Sequence, residues 1–376
     1  MATRMPTILF VQPVAERGGS DHALLRMVRA LRAAGFTTHV ALPSASPMAE
    51  EFHAAGAHLH TVPMLRITTR GGRGHWVRYA AAWPVSVWRL AALARRVGAD
   101  VVHTNSLHSW YGWAVAALLR RPHVWHAREI VVQSAAALRV ERALARRFAA
   151  RVVAISHAVA AQLDPSNVTV LHDEPEPDEF HPSLAGRFRP RLGIPDDVPV
   201  AAFVGRLDTW KGVDVLLDAW QRADNVVDGA VLVIAGGVVA GKEAEAARWQ
   251  ERAGRLPRVV WAGERDDVAD LLADVDVFVH ASTEPEPYGL VVVEALATGV
   301  PVIVSDAGGA PEILQGASAG AGRLVAPGDA DAVADALVEL LPEHSSTPQR
   351  AARTVLVDTT PPDYAALYRT VLDRSR

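Results

Sequence analysis

Residues 200–220 read VAAFVGRLDTWKGVDVLLDAW. Val200–Val204 is apolar without polar alternation, which predicts a strand covered on both faces. The chain then delivers Gly205 and Arg206 to the carboxyl end of that strand. Lys211 and Gly212 follow, and Gly212–Ala223 has the spacing of an amphipathic helix. Strand, glycine-bearing loop and helix in this order form one step of a parallel α/β sheet.

The same step repeats on both sides. Further strands are expected at Ala230–Ala235, Val259–Ala262, Val275–His280, Val300–Ser305 and Gly322–Val325. The helices between them are Glu243–Ala253, Gly289–Ala297 and Ala330–Leu341. Upstream, strands are expected at Ile8–Gln12, His39–Leu42, Leu59–Val62, Val101–Thr104, His123–His126, Val152–Ile155 and Val168–Leu171. Helical spacing covers Ala23–Ala34, Ser86–Val97 and Ala135–Ala149. The Pro- and acid-rich stretch Asp173–Pro182 interrupts the rhythm and reads as a linker. Two doubly wound α/β domains facing each other across a cleft are therefore expected, 1–180 and 181–361. Residues 342–362 are less regular, and Tyr364–Leu372 is a last amphipathic segment.

Composition narrows the function classes. Half of the 376 residues are hydrophobic and 21% are charged, which excludes wholesale disorder. The absence of cysteine excludes disulfides, thiolate metal sites and a cysteine nucleophile. No signal peptide and no apolar run long enough to span a bilayer is apparent, so a soluble, cytoplasmic protein is expected. Residues 1–180 carry 20 basic and 13 acidic side chains, and residues 181–376 carry 18 and 29. The basic excess lies in 64–151, with 15 Arg against Asp100, Glu129 and Glu141. Six of the ten tryptophans lie there too. That region reads as a solvated helix face, as a contact for anionic lipid at the inner face of the membrane, or as a contact for an anionic soluble acceptor. No nucleic-acid-binding module appears. Of 38 basic residues only Lys211 and Lys242 are lysine, so a lysine in the Gly205–Gly212 loop stands out.

Four constellations carry chemistry. Arg206 can fork onto two phosphate oxygens and Lys211 adds a compact charge, which together suit a diphosphate. Glu286 and Glu294 are spaced E-x7-E around Tyr288 and Gly289. The first glutamate falls in a loop, and the second lies near the second helical turn. A carboxylate accepts hydrogen bonds from vicinal hydroxyls, and the N–H groups of Gly289, Leu290 and Val291 suit a phosphate or sugar oxygen. In VQPVAERGGSD, Gly18 and Gly19 let the backbone approach a ligand, with Ser20 or Asp21 capping the next helix. This is not G-x-G-x-x-G, so no dinucleotide cofactor is expected. In HVWHAREI, His126 ends a strand ahead of Arg128 and Glu129, and Asn105 ends the neighbouring one. No Asp-x-Asp pair is expected at a strand's carboxyl end, so no metal is expected.

Together these residues resemble the retaining glycosyltransferases of family GT4, with the GT-B architecture. GRL-x3-KG at 205–212, EPYGLVVVEALATGVPVI at 286–303 and GGAPE at 308–312 carry the resemblance most specifically. It implies a donor that is a nucleoside-diphosphate sugar of the UDP or GDP type, bound by the second domain. Arg206 and Lys211 would hold the diphosphate, Glu286 the sugar and Glu294 the ribose. Gly18, Gly19, Gly205, Tyr288, Gly289, Leu290 and Val291 would line the donor, and His126 would stand at the reacting centre. Asn105, Arg128 and Glu129 fall on the acceptor side. The helix in 362–376 would return to the first domain. HDEPEPDEF at 172–180 departs from the family's interdomain motif, and 64–80 matches none of its patterns. A sugar-nucleotide epimerase or hydrolase, or a non-catalytic binding protein of the same architecture, are the alternative readings.

Overall fold

The computed structural model describes residues 4–67, 72–132, 134–163, 165–175, 178–223, 227, 229–341, 346–354, 356–357 and 362–374. Part of the expected linker (176–177), residues 342–345, 355 and 358–361 of the less regular stretch and the last two residues lie outside them. The chain forms two compact units, one from residues up to Asp173 plus Pro362 onward, the other Glu174–Pro361. The border thus falls at Asp173 rather than at 180.

The first unit contains one parallel sheet. Its strands are β1 (Thr7–Val11), β2 (Thr37–Leu42), β3 (His58–Thr61), β4 (Val101–Thr104), β5 (His123–Ala127), β6 (Arg151–Ala154) and β7 (Val168–Val170). They run in the order 3-2-1-4-5-6-7. Both faces are covered, and alternate residues of one strand serve the two cores. Ile8 and Phe10 join the cluster that contains Leu24, Val28 and Tyr368. Leu9 and Val11 join the cluster with Leu90, Ala94 and Val115. The final helix, Tyr364–Asp373, belongs to this unit, and Tyr368 Oη lies 2.6 Å from His103 Nδ1.

The second unit repeats the plan. Its strands are β8 (Val200–Val204), β9 (Val231–Ala235), β10 (Val259–Gly263), β11 (Val277–His280), β12 (Val302–Ser305) and β13 (Gly322–Val325). Their order is 10-9-8-11-12-13, again all parallel. In each sheet the winding reverses once, between β1 and β4 and between β8 and β11. Ligands of open α/β sheets bind beyond the carboxyl ends at such a reversal.

Two departures from expectation have a visible cause. The helix expected from Ser86 starts at Gly72 and runs to Val97, through Pro84. Proline removes one ladder bond, and Ser86 stabilises this stretch by donating to the carbonyls of Pro63 at 2.7 Å and Ala82 at 3.1 Å. The strand expected from Val275 begins only at Val277, because Asp274 and Asp276 anchor a buried ion network instead. Asp274 accepts from the N–H groups of Gly186, Phe188 (2.6 Å) and Arg189 (3.2 Å). Asp276 pairs with Arg189 at 2.8 Å and Arg353 at 2.6 Å. Asp274 also meets Arg350, whose side chain is fully buried.

Candidate functional site

The second reversal point collects the residues singled out from the sequence. β8 ends at Val204, and Gly205 N donates to Ala235 O at 3.0 Å, so the first loop residue is still held against β9. Gly236 must be glycine for a structural reason: a Cβ there would lie 1.7 Å from the Gly205 carbonyl oxygen. The turn after β9 is therefore shaped by backbone contact, and Asp267, in the loop after β10, is held by Arg265 and Arg191. Arg206 is exposed. Asp208 caps the short turn Thr209–Lys211, accepting from Thr209 N at 2.8 Å and Trp210 Nε1 at 3.2 Å. Gly212 has φ +75°, and a Cβ there would meet the Ala281 carbonyl oxygen at 1.8 Å. That close approach presses the Lys211 loop against the end of β11.

The result is a buried charge cluster. Lys211 Nζ lies 2.5 Å from Glu286 Oε2, and the two side chains are 14% and 12% exposed. The ammonium also stands 4.2 Å from the centre of the Trp210 ring. His280, the last residue of β11, places Nε2 3.0 Å from the same Glu286 oxygen. Ser282 Oγ lies 3.3 Å from His280 Nε2 and 3.5 Å from Glu286 Oε2. The carboxylate can only accept, so His280 carries its proton on Nε2 and donates. Burial opposes ionisation of Glu286, but the Lys211 charge and the His280 hydrogen bond outweigh it and hold the group well below the usual carboxylate range. His280 carried no signal in the sequence beyond its place at a strand end.

The GGAPE segment fixes Glu286 from behind. Gly309 N donates to Glu286 O at 2.7 Å, and a Cβ on Gly308 (φ +76°) would lie 2.1 Å from that oxygen. The following helix, Leu290–Ala297, is capped by Gly289 at φ +100°. Leu290 and Val291 form its first turn and are half-buried, and Glu294 is buried in its second turn. Tyr288 is also buried, and its hydroxyl donates to Glu174 Oε1 at 2.9 Å.

The first reversal point carries the remaining residues. Gly18 caps the helix Gly19–Ala33 with no side-chain hydrogen bond, so Ser20 and Asp21 lie within the first turn rather than capping it. Neither glycine is needed by the chain itself. A Cβ on Gly19 would meet nothing within 4 Å, and one on Gly18 would make an ordinary 3.7 Å contact. The loop is tied down by a chain of amides that sequence reading missed. Asn105 Nδ2 donates to Gln12 Oε1 at 2.9 Å, and Gln12 Nε2 donates to Asp21 Oδ1 at 3.0 Å. Burial raises the Asp21 carboxyl to about 6, partly offset by the Gln12 bond.

His126, next to last in β5, is fully buried. Burial, and then the Arg128 charge, push its pKa well down, so the ring is neutral. Its Nε2 faces Arg128 Nη1 at 3.4 Å. A guanidinium only donates, so Nε2 accepts and the ring proton sits on Nδ1, which has no hydrogen-bond partner among the described residues. Arg128 itself forms a buried ion pair with Asp173. Glu129 accepts from Ser106 Oγ and from the N–H groups of Leu107 at 2.9 Å and Arg128 at 3.1 Å. All three residues expected on the acceptor side, Asn105, Arg128 and Glu129, thus have structural partners within the first unit.

Two Asp-x-Asp pairs are engaged elsewhere. Asp274 and Asp276 precede β11 and hold arginines, and Asp329 caps the helix Ala330–Leu340 through Ala332 N.

Residues 198–343 match the family described as Glycosyl transferases group 1, and residues 18–173 match the Glycosyl transferase 4-like domain. The GDP-mannose-dependent alpha-mannosyltransferase of Mycobacterium tuberculosis is 30% identical over 319 residues, 79% of this chain and 77% of that protein. The chain belongs to the group 1 glycosyl transferases, family GT4. The D-inositol 3-phosphate glycosyltransferase of Mycolicibacterium paratuberculosis is 33% identical over 51% of this chain. The chain spans 42% of that relative and 55% of the lipopolysaccharide core mannosyltransferase LpsB of Rhizobium meliloti. Among solved structures, HepE of Anabaena in complex with UDP and glucose superposes with TM-score 0.74 at 25% identity over 89% of each chain. Sucrose-phosphate synthase of Thermosynechococcus elongatus shares the fold, with TM-score 0.72 over 99% of this chain at 21% identity. The two-sheet α/β architecture is therefore that of the GT-B glycosyltransferases.

Proposed function

We propose that this protein is a retaining glycosyltransferase that moves a sugar from a nucleoside-diphosphate sugar to a hydroxyl acceptor without a metal ion. The observation that carries the proposal is the Lys211–Glu286–His280 cluster at the carboxyl ends of β8 and β11, with Arg206 exposed beside it. A lysine drawn between a carboxylate and an arriving diphosphate is a ready anion site whose charge is already present. Arg206 and Lys211 would neutralise the diphosphate, with Gly205 leaving its backbone accessible. The first-turn N–H groups after Gly289, at Leu290 and Val291, would add hydrogen bonds. Glu286 would accept from the sugar hydroxyls and Glu294 from the ribose. The complexes of HepE with UDP, and the donor named for the mycobacterial relative, support a uridine or guanosine diphosphate.

In the transfer step the bond from the anomeric carbon to the diphosphate oxygen breaks. The acceptor oxygen bonds to that carbon on the same face, and its proton passes to the departing phosphate. The charge that develops lies on the diphosphate, and groups such as Arg206 and Lys211 typically matter by about 10²–10³ in rate each. No enzymic base is needed, and in this reading His126 serves as a neutral donor through Nδ1. Gly18 and Gly19 would keep their loop open to a ligand.

The test is donor turnover with and without an acceptor panel in excess EDTA, with the product's anomeric configuration read by proton NMR. Acceptor-dependent transfer with the donor's own configuration is expected. Turnover that ignores the acceptor and yields an epimer, an inverted product, or activity that returns only with Mn²⁺ or Mg²⁺ would contradict the proposal.

A further inference from the structure

The helix Gly72–Val97 has two apolar faces where a surface helix needs one. Tyr79, Ser86, Leu90, Leu93 and Ala94 are buried against the first sheet. At 3.6 residues per turn, Val77, Ala81, Val85, Trp88 and Ala92 fall along the opposite side. There Val77 is 69% exposed, Val85 49% and Trp88 67%. Solvent should face polar residues at those positions. Trp76, nearer the helix's start, is 40% exposed, whereas Trp125 is fully buried and Trp83, Trp110 and Trp113 are half-buried.

The charges around this strip have one sign. Arg78, Arg89 and Arg96 fall along one border by the same periodicity, and Arg73 and Arg95 add to the helix. All five are exposed. The helix contains no Asp or Glu, and none of these arginines has an ion pair among the described residues. The helix Gly112–Leu119, packed beside it, exposes Leu118. From Val77 to Ala92 the strip extends over about 24 Å of this 26-residue helix.

We propose that the outward face of Gly72–Val97 docks flat on an anionic lipid bilayer, with Val77, Val85 and Trp88 in the interface and Arg78, Arg89 and Arg96 on lipid phosphates. Tryptophan sits preferentially at the depth of the headgroups. An apolar strip bordered only by cations matches an anionic interface in both hydrophobicity and charge. A globular protein partner would need acidic groups in register with three arginines over the helix's length, whereas an anionic bilayer supplies them everywhere. The surface narrows the broad basic region 64–151 to one side of one helix. It does not depend on the sugar-transfer reading, because none of these residues belongs to the candidate donor site.

The test is flotation of the full-length protein with phosphatidylcholine vesicles containing phosphatidylglycerol, against phosphatidylcholine alone. Wild type is expected to float with the anionic vesicles and to be released at about 0.5 M salt, where surface attraction is screened. Val77→Ser, Val85→Ser and Trp88→Ser combined should abolish flotation even at low salt. Charge reversal at Arg78, Arg89 and Arg96 should lower partitioning at least about fivefold per residue. Arg248→Glu, on the helix Glu243–Ala253 of the other unit, with Arg255→Glu just past its end, controls for non-specific loss of positive charge and should float as wild type does. Circular dichroism and thermal melting confirm that each variant is folded. Wild type that stays at the bottom, or a serine variant that floats undiminished, overturns the proposal. So does a strip-dependent dimer, seen by light scattering in the absence of flotation.

Discussion

Replacing Lys211 by Met should separate the two roles of the Lys211–Glu286 pair. At 2.5 Å and an effective dielectric constant of about 20, the gross attraction is about 7 kcal/mol. Desolvating both ions consumes much of that, and deleting one partner of a buried pair typically costs about 3–5 kcal/mol. Here the stranded carboxylate keeps the His280 hydrogen bond at 3.0 Å and a weak contact to Ser282. The cost should therefore fall at or just below the lower end of that range, about 2–3 kcal/mol. Spread over a unit of this size, that lowers its melting transition by about 5–10 °C.

The sign with pH is fixed. In the wild type the folded Glu286 pKa is depressed, so its stabilisation is present above the unfolded carboxylate value and is lost only as pH falls well below it. Without Lys211 burial pushes the stranded carboxyl up instead, so the deficit of Lys211→Met against the wild type should be largest at pH 7 and shrink towards pH 5 as the group takes up a proton. Adding Glu286→Gln removes the stranded charge and should restore stability at pH 7 to within about 1 kcal/mol. It should not restore affinity for a nucleoside diphosphate. Thermal and urea unfolding of the four proteins of the cycle at pH 7 and pH 5, with nucleotide calorimetry, measure both quantities. A Lys211→Met protein with unchanged stability and unchanged diphosphate affinity would refute the reasoning. So would a double variant no more stable than the single one.

Other perturbations have equally definite outcomes. Gly19→Ala places a methyl group in open space in the first helical turn, so it should leave stability unchanged or raise it by up to about 1 kcal/mol while lowering turnover; unfolding curves and initial rates decide. Gly308→Ala, by contrast, drives a Cβ into the Glu286 carbonyl at a positive φ and should destabilise by more than about 2 kcal/mol. Asp21 has a folded pKa raised to about 6, so its contribution is present below pH 4 and is lost as pH rises through 6; Asp21→Asn should stabilise by about 1–3 kcal/mol at pH 7.5 and by little at pH 4, as urea titrations will show. Asp274→Ala strands the N–H groups of Gly186 and Phe188, removes one of the carboxylates around buried Arg350 and should cost about 3–5 kcal/mol, measured by the same denaturation.

Most of the fold was legible because parallel strands buried on both faces leave apolar runs that need no partner to be recognised. Val101–Thr104, Val200–Val204 and Gly322–Val325 occupy their expected ranges. Gly72–Val97 was only half legible. Pro84 suggests a break, and a helix apolar on both sides has no single stripe for a periodicity to detect. The second-unit site was legible in Arg206, Lys211 and Glu286, where rare residue types coincide with strand ends. His280 was not, because its meaning depends on the β8–β11 reversal that places it beside Glu286. Gln12, Asp274 and Arg350 were equally silent. Their partners lie on other elements, and only the folded chain shows that a buried polar group has been satisfied.

The central claim is that the second unit binds a nucleoside diphosphate through its own cations. Calorimetric titration of UDP, GDP, ADP and TDP into the protein, in EDTA, tests it most directly. One nucleotide should bind at one site per chain without a divalent metal, and Arg206→Ala and Glu294→Ala should each weaken it about tenfold or more. Binding of none of the four, or binding that appears only when Mg²⁺ is added, would contradict the account.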